Sequence, residues 1–504
     1  MAVNQLKAGA ALNYVILGLN AITGFLYTPY MLRMLGQSEY GIYSLAASVI
    51  AYLSILDFGF GNSVIRYTAK YRAEGKVEEQ YELFGMFTKL YCFIGLLVML
   101  AGIALYFSLG SMFGDTLTAT ELSRTKIIVL LMVFNLAFSF PLSIYGAIIT
   151  AYENFVFLRT VQIVRILLNL AVMIALLSLG YKAIAMVVVN TVFNFLALAI
   201  NIFYCKKKLH IKVKFTAIKW FLFREIAIYS FWIFLNVIMD RIYWSTGQFV
   251  LGATAGTVAI AIFSVAILIE GIYMSFSTAI SGVFLPRVTA MVTRKGNEKE
   301  VSDLFIKTGR IQYCILAFIL SGFIVFGQDF INIWAGKDYN DAYLITVIFL
   351  IPLTIPLIQN LGITILQARN QMKFRSLLYI VIAFVSLIFQ IILAKYYGSI
   401  GCACAISGAL VIGQIIIMNI YYQKRQGIDI AQFWKEITKM SILPLLLVFS
   451  SLLFLKYFKI HSIWAFIMAI ACFSAVYLPL FWRFSMNNYE RELVAAPFRK
   501  IIHK

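Results

Sequence analysis

Acidic residues are few in this chain: 22 Asp and Glu stand against 42 Lys and Arg, and charged residues make up only 13% of the 504. Soluble domains carry about 25% charged residues, so an ordinary water-facing surface is excluded. Histidine is scarcer still. The three, His210, His461 and His503, lie apart and outside the apolar runs, which suggests no metal site. The six cysteines (Cys92, Cys205, Cys314, Cys402, Cys404 and Cys472) have no framework spacing. Cys402 and Cys404 are two apart, the wrong interval for a C-x-x-C pair, and all six read as packing residues. No GxxxxGK[ST] stretch appears, so this chain is not expected to use ATP, and no catalytic constellation marks it as an enzyme. Gly59-Phe-Gly61 follows no strand and is not a phosphate loop. The first residues, MAVNQLKAGAALNY, lack a short apolar core with a small-residue cleavage site, so the first apolar run is expected to act as its own insertion signal.

Apolar sequence is what the chain has in excess: 62% hydrophobic, with mean hydropathy +0.88. Runs of about 20 apolar residues cross a bilayer as helices. Fourteen are present, over 11–32, 40–65, 83–109, 127–151, 156–180, 183–205, 221–246, 256–286, 309–334, 342–367, 376–396, 399–422, 439–457 and 462–483. They are too long for barrel strands and lack their alternation. The expectation is an all-α polytopic membrane protein. With the N-terminus inside, and residues within four positions of a span end counted with the adjoining loop, 31 Lys and Arg fall on cytoplasmic segments and 8 on outer ones, leaving Lys89, Arg165 and Arg241 within spans. This bias predicts that both termini are cytoplasmic. The net charge of +20 then reflects topology and attraction to anionic lipid head groups, not nucleic-acid binding.

A repeat runs through the chain. RYTAKYRAEGKVEE (Arg66 to Glu79) resembles RVTAMVTRKGNEKE (Arg287 to Glu300) at an offset of 221. GAIITAYENFVFLR (Gly146 to Arg159) resembles GITILQARNQMKFR (Gly362 to Arg375) at 216, and Leu35-Gly36 matches Leu251-Gly252 at the same interval. The matches follow spans 2 and 8, and spans 4 and 10. Spans 1–6 (residues 1–210) and 7–12 (residues 211–430) are therefore expected to be parallel copies, related by a pseudo-two-fold axis along the membrane normal. Spans 13–14 and a cytoplasmic tail (residues 431–504) form an appendage. Substrate sites in such transporters lie between the halves.

Charges inside spans cost roughly 2.5–3.5 kcal/mol each on the insertion scale, so they face a cavity or a partner. Six stand out: Asp57, Lys89, Arg165, Asp240, Arg241 and Glu270. Gln162, Arg165 and Asn169 share one helical stripe, as do Asn190, Asn194 and Asn201, the pair Asn236 and Asp240, the set Glu270, Ser277 and Ser281, and the set Asn13, Asn20 and Tyr27. Asp57, followed by Gly59 and Gly61, has two readings: it locks or gates packed helices, or it touches substrate or ion. The asparagines divide between helix packing and cavity lining, and Lys89 between cavity and snorkelling. Arg66 divides between a cavity mouth and topology. Seven of the eight prolines sit in or at the ends of spans, as moving or static kinks.

The order TPYMLRMLGQSEYGIYSL (Thr28 to Leu45), SILDFGFGNSVIR (Ser54 to Arg66) and IRYTAKYRAEGK (Ile65 to Lys76) strongly resembles the polysaccharide transport family of Wzx-like oligosaccharide flippases. That family belongs to the multidrug/oligosaccharidyl-lipid/polysaccharide exporter (MOP) superfamily. The resemblance is most specific over residues 1–80. It implies movement of a polyprenyl-diphosphate-linked oligosaccharide across the bacterial cytoplasmic (inner) membrane by rocking of two lobes. It also implies a role in surface polysaccharide such as O-antigen, lipopolysaccharide or capsule, next to polymerase and chain-length proteins. In that setting Arg165, Arg241 and Lys89 suit the diphosphate, and arginine does so through its planar fork. Arg33 and Arg66 would guard the two mouths. Gln162, Asn169, Asn190, Asn194, Asn236, Asn20 and Tyr27 would meet sugar hydroxyls. Asp57, Asp240 and Glu270 would serve gating or coupling to an H+ or Na+ gradient, with no cofactor. Alternatives are a drug/cation antiporter of the same superfamily, a lipid II flippase, and a non-transporting scaffold for a glycan polymerase. Balanced in-span charges and a first span without an acid argue against cationic drugs.

Overall fold

The structure is a computed structural model that describes residues 5–216, 220–281, 291, 298–369, 371–457, 462–493 and 495. His461, His503 and most of Arg287–Glu300, the second copy of one repeat, lie outside the described residues. In hydrocarbon every backbone N–H and C=O must be satisfied within its own segment, which leaves helices as the solution for runs this long. Among the described residues the chain is all helix, with no strand. The helices are α1 (Gln5–Ile22), α2 (Thr28–Leu53), α3 (Phe60–Ala73), α4 (Val77–Phe113), α5 (Ala119–Ala151), α6 (Phe155–Ser178), α7 (Ala183–Lys207), α8 (Trp220–Thr254) and α9 (Gly256–Ser281). They continue as α10 (Glu298–Trp334), α11 (Ala342–Ile358), α12 (Leu361–Ala368), α13 (Lys373–Leu410), α14 (Met418–Arg425), α15 (Ile430–Tyr457) and α16 (Ile463–Phe484).

Ten helical runs among the described residues are long and apolar enough to cross a membrane, or eleven with the bent pair α11 and α12, which meet at 42°. Two of the ten are too long for one crossing: Ala11–Ala73 has 63 residues and Lys373–Arg425 has 53. At about 1.5 Å per residue each far exceeds the roughly 30 Å hydrocarbon core. Each is divided by a glycine with non-helical backbone, Gly36 (φ 79°, ψ 171°) and Gly398 (φ 55°, ψ −136°). These fall between expected spans 1 and 2 and between spans 11 and 12. Only glycine enters such conformations without a Cβ penalty. The sequence's fourteen spans and the ten runs thus differ by where helices are joined, and α8 covers expected span 7.

The chain forms two compact units, Met1–Ala261 and Ile262–Lys504. In the first, α4 and α5 pack closely through small residues. A Cβ on Gly95 would meet the Ala137 carbonyl, and one on Gly102 would strike the Val133 side chain. Small residues at such crossings let helices approach where lipid supplies no hydrophobic drive. The segment after α7 runs extended along α4. Its Lys214 N–H donates to the Tyr81 carbonyl at 3.1 Å, and Lys214 pairs with Glu78.

In the second unit Phe305 on α10 packs on Tyr422 and Phe433. The buried Arg310 guanidinium donates to Glu490 Oε1 at 2.6 Å and Oε2 at 3.0 Å, and to Glu436 Oε2 at 2.6 Å. One forked cation thereby joins α10 to α15 and to the segment that follows α16. All six cysteines are free thiols.

Candidate functional site

Span 2 does not run through as one helix. α2 tightens into a 3₁₀ turn over Ser54–Asp57, then two consecutive residues turn left-handed, Phe58 (φ 50°) and Gly59 (φ 70°), before α3 begins. Gly59 meets this conformation freely. Phe58 pays about 1–2 kcal/mol for it, and its ring is held against Phe234 at 4.6 Å and Phe60 at 5.8 Å.

A helix that starts inside a membrane presents orphan N–H groups. Tyr91 answers one of them and is itself held by Asp57. Its carboxylate accepts from the Gly59 N–H and from the Tyr91 hydroxyl, whose O–H donates to Oδ1 at 2.9 Å. The Tyr91 oxygen in turn accepts from the Gly61 N–H. Tyr91 is 1% exposed, stacked on Phe140 and edge-on to Phe60. The acid, Tyr91 and the two glycines are therefore parts of one device at a broken span, in which the acid holds the turn before α3 and Tyr91 meets an N–H of α3.

Beside the break lies a cavity of ≈ 380 Å³, lined by Ser54, Asp57, Asn62, Phe140, Phe234 and Arg241, among others. Arg241 makes no hydrogen bond or ion pair among the described residues; its guanidinium and the Asp57 carboxylate share the cavity without pairing. Asn62 and Arg66, four apart on α3, are both exposed, so Arg66 continues the face that Asn62 presents to the cavity. The result is a chamber with one cation that makes no hydrogen bond or ion pair among the described residues, an amide donor, and an acid that is already hydrogen-bonded.

The other sequence-selected residues lie elsewhere. The Lys89 ammonium donates to the Thr216 carbonyl at 2.8 Å and so ties the segment after α7 to α4. Asn169 donates to Asn190 Oδ1 at 2.8 Å, and Asn194 to Asn135 Oδ1 and Ser139 Oγ, both at 2.7 Å. These amides join α5, α6 and α7. Gln162 accepts from Arg159 at 3.1 Å. Arg165, half-buried on α6, has no hydrogen bond or ion pair among the described residues. Asn20 and Arg33 are exposed, and the Tyr27 hydroxyl is buried with no hydrogen-bond partner there. Glu270, in the second unit, is 3% exposed and its Oε1 has no hydrogen-bond partner among the described residues. The side chains of Asn236, Asp240 and Ser281 lie outside the described residues.

A second polar cluster was not singled out from sequence. Thr118 and Glu121 form a reciprocal cap on α5. Glu121 Oε1 also accepts from Ser38 at 2.5 Å and from Thr257 at 2.8 Å, and Thr116 donates to the Gly252 carbonyl at 2.5 Å. Gly41 lies so close to the Thr257 carbonyl that no Cβ would fit. The start of α9 is thereby fastened to α2 and α5. Nearby, Glu39 pairs with Arg124 and accepts from the Ala183 N–H at 3.3 Å. The legible signal was TATE, a capping-box sequence at Thr118 to Glu121. Tyr91, a lone hydroxyl two residues beyond Lys89 in an apolar run, was the signal for Asp57's partner.

The family model described as polysaccharide biosynthesis protein matches residues 6–292. No curated protein sequence matches the chain. Among solved structures, one described as lipid II flippase MurJ in an inward closed conformation superposes with a TM-score of 0.73 at 17% identity, covering 94% of this chain and 98% of that one. An inward-facing multidrug resistance MATE family transporter of the MOP superfamily gives 0.61 at 15%, covering 82% and 98%. A MOP superfamily transporter from Pyrococcus furiosus gives 0.56 at 12%, covering 85% and 94%. At these identities the likeness is one of fold, and it is the two-lobe, multi-span fold of membrane transporters.

Proposed function

Because this chain belongs to the polysaccharide biosynthesis protein family, the Wzx-like branch of the MOP superfamily, we propose that it is a flippase for a polyprenyl-diphosphate-linked oligosaccharide repeat unit. It would move that unit across the bacterial cytoplasmic membrane, for surface polysaccharide such as O-antigen or capsule, with both termini cytoplasmic. The observation that carries the reading is Arg241, without a hydrogen bond or ion pair among the described residues, lining a cavity beside an acid that is hydrogen-bonded to Tyr91. A cationic drug would want the reverse, a free acid. A diphosphate wants a planar donor in a low-dielectric chamber, where charge-assisted hydrogen bonds are strongest. Asn62 supplies an amide donor and Ser54 a hydroxyl oxygen toward the sugar. The polyprenyl chain stays in lipid.

Residues 1–210 and 211–430 act as the two lobes in this reading, with 431–504 appended. Asp57 and Arg241 then belong to different copies of the repeat. Rocking would part α8 from α2 and α3 on one side and close them on the other, with the Glu121–Thr257 cluster as the outer closure. Glu270, buried without a partner for Oε1, is the candidate for coupling to an H+ or Na+ gradient. That coupling fails if collapsing both gradients leaves transport unchanged. The function itself is tested by clean deletion of the gene and analysis of lipid-linked intermediates. Accumulation of the repeat unit on polyprenyl diphosphate in the inner leaflet, reversed by the wild-type gene, supports it. Normal glycan and intermediates, with no redundant flippase, would send the assignment to lipid II, drugs or scaffolding.

A further inference from the structure

Asp57 and Arg241 line one cavity of ≈ 380 Å³ and carry opposite charges, yet they do not pair. Opposite charges attract by about 4 kcal/mol at 4 Å and an effective dielectric near 20. The contacts around Asp57 show what holds its carboxylate instead. Its carboxylate is occupied by the Tyr91 O–H at 2.9 Å and by the Gly59 N–H. The Tyr91 oxygen is fixed by the Gly61 N–H, and its ring by Phe60 and Phe140. The set is two backbone donors, one aromatic ring packed on two sides, and one carboxylate.

We infer that Tyr91 is a positioning residue that reserves Arg241 for the substrate. By holding the Asp57 carboxylate on the start of α3, the Tyr91 hydroxyl keeps an internal anion from occupying the guanidinium that a diphosphate would take. Without that hydroxyl, Asp57 loses one of its two donors and turns to Arg241. The site then neutralises itself, and an incoming anion must displace a carboxylate that is covalently part of the chamber. The inference rests on the reading of this cavity as the diphosphate site only for what Arg241 is reserved for. The geometry that keeps it free stands by itself.

The test uses the full chain in detergent and two readouts. The first is the rate at which phenylglyoxal modifies Arg241, followed by peptide mass spectrometry, which reports a free against a paired guanidinium without any ligand. The second is affinity for undecaprenyl diphosphate. Tyr91→Phe keeps the ring packing and removes the hydroxyl. It is expected to slow Arg241 modification about tenfold and weaken undecaprenyl diphosphate binding about tenfold, the scale of one hydrogen bond to a charged group. Tyr91→Phe combined with Asp57→Asn is expected to restore both to the level of Asp57→Asn alone. A merely structural role for Tyr91 would not be rescued by removing the acid's charge. Unchanged Arg241 reactivity in Tyr91→Phe overturns the inference, and so does equal slowing in the double variant. If reactivity follows the expected pattern but undecaprenyl diphosphate binds wild type and Arg241→Ala equally, the positioning role stands and the diphosphate reading falls.

Discussion

The Tyr91 hydroxyl donates to Asp57 Oδ1 at 2.9 Å, across the point where span 2 breaks. This contact ties an acid in an apolar run to the turn that precedes a half-helix. One backbone donor, the Gly59 N–H, and one phenol hold the carboxylate without a basic partner. That leaves the one cation in the same cavity available.

Arg241→Ala should leave the fold intact and disable the site. No partner among the described residues is stranded by its removal, so stability should change by less than about 0.5 kcal/mol. Restoration of surface glycan in a deletion strain should fall at least about tenfold, with Arg241→Lys between the two because an ammonium lacks the planar fork. Purification yield, thermal unfolding and glycan analysis read these separately.

Lys89→Met should affect transport little, because the ammonium is spent on the Thr216 carbonyl and not on the cavity. Its loss should instead loosen the segment after α7. Trypsin should cut between Lys206 and Lys214 sooner in the variant than in the wild type, at equal protein concentration.

Thr257→Val removes one donor from Glu121 and leaves the Thr118–Glu121 cap whole. The start of α9 should then release more readily from α2 and α5. With Asn62→Cys as the reporter, labelling by a membrane-impermeant maleimide added outside should rise several-fold, a few tenths to about 1 kcal/mol in the closure equilibrium. Glu121→Ala should do the same and also cost the cap, about 1 kcal/mol of stability.

Arg310→Ala should destabilise the second unit by about 3–5 kcal/mol, since it strands the buried Glu490 carboxylate. Arg310→Lys should recover only part, because one ammonium cannot match both Glu490 oxygens and Glu436. Thermal unfolding in detergent, followed by intrinsic fluorescence, gives the order wild type, Lys, Ala.

Much of the fold was legible in the sequence because lipid leaves the backbone so few choices. Apolar length marked the helices, and glycines such as Gly36 and Gly398 fell where spans were expected to part. The site was less legible. Asp57, Arg241 and Arg66 were picked out as charges in or at the ends of apolar runs, and the structure brings the first two to one cavity. Lys89 and the asparagines carried the same signal, but they bond to the Thr216 carbonyl and to one another. A sequence shows that a polar group is buried in a span. It does not show which neighbour answers it, because that neighbour sits on another helix at no fixed spacing. Tyr91 and the Thr257–Glu121 contact were hidden for this reason, although the TATE cap was local and readable.

The most direct test of the account is flipping itself. Purified protein would be reconstituted into vesicles holding a fluorescent polyprenyl-diphosphate oligosaccharide, with dithionite added outside to bleach accessible label. Wild type should expose the inner-leaflet label that protein-free vesicles protect, and Arg241→Ala should not. Equal protection with and without the wild-type protein, given correctly folded protein and the organism's own repeat unit, would contradict it.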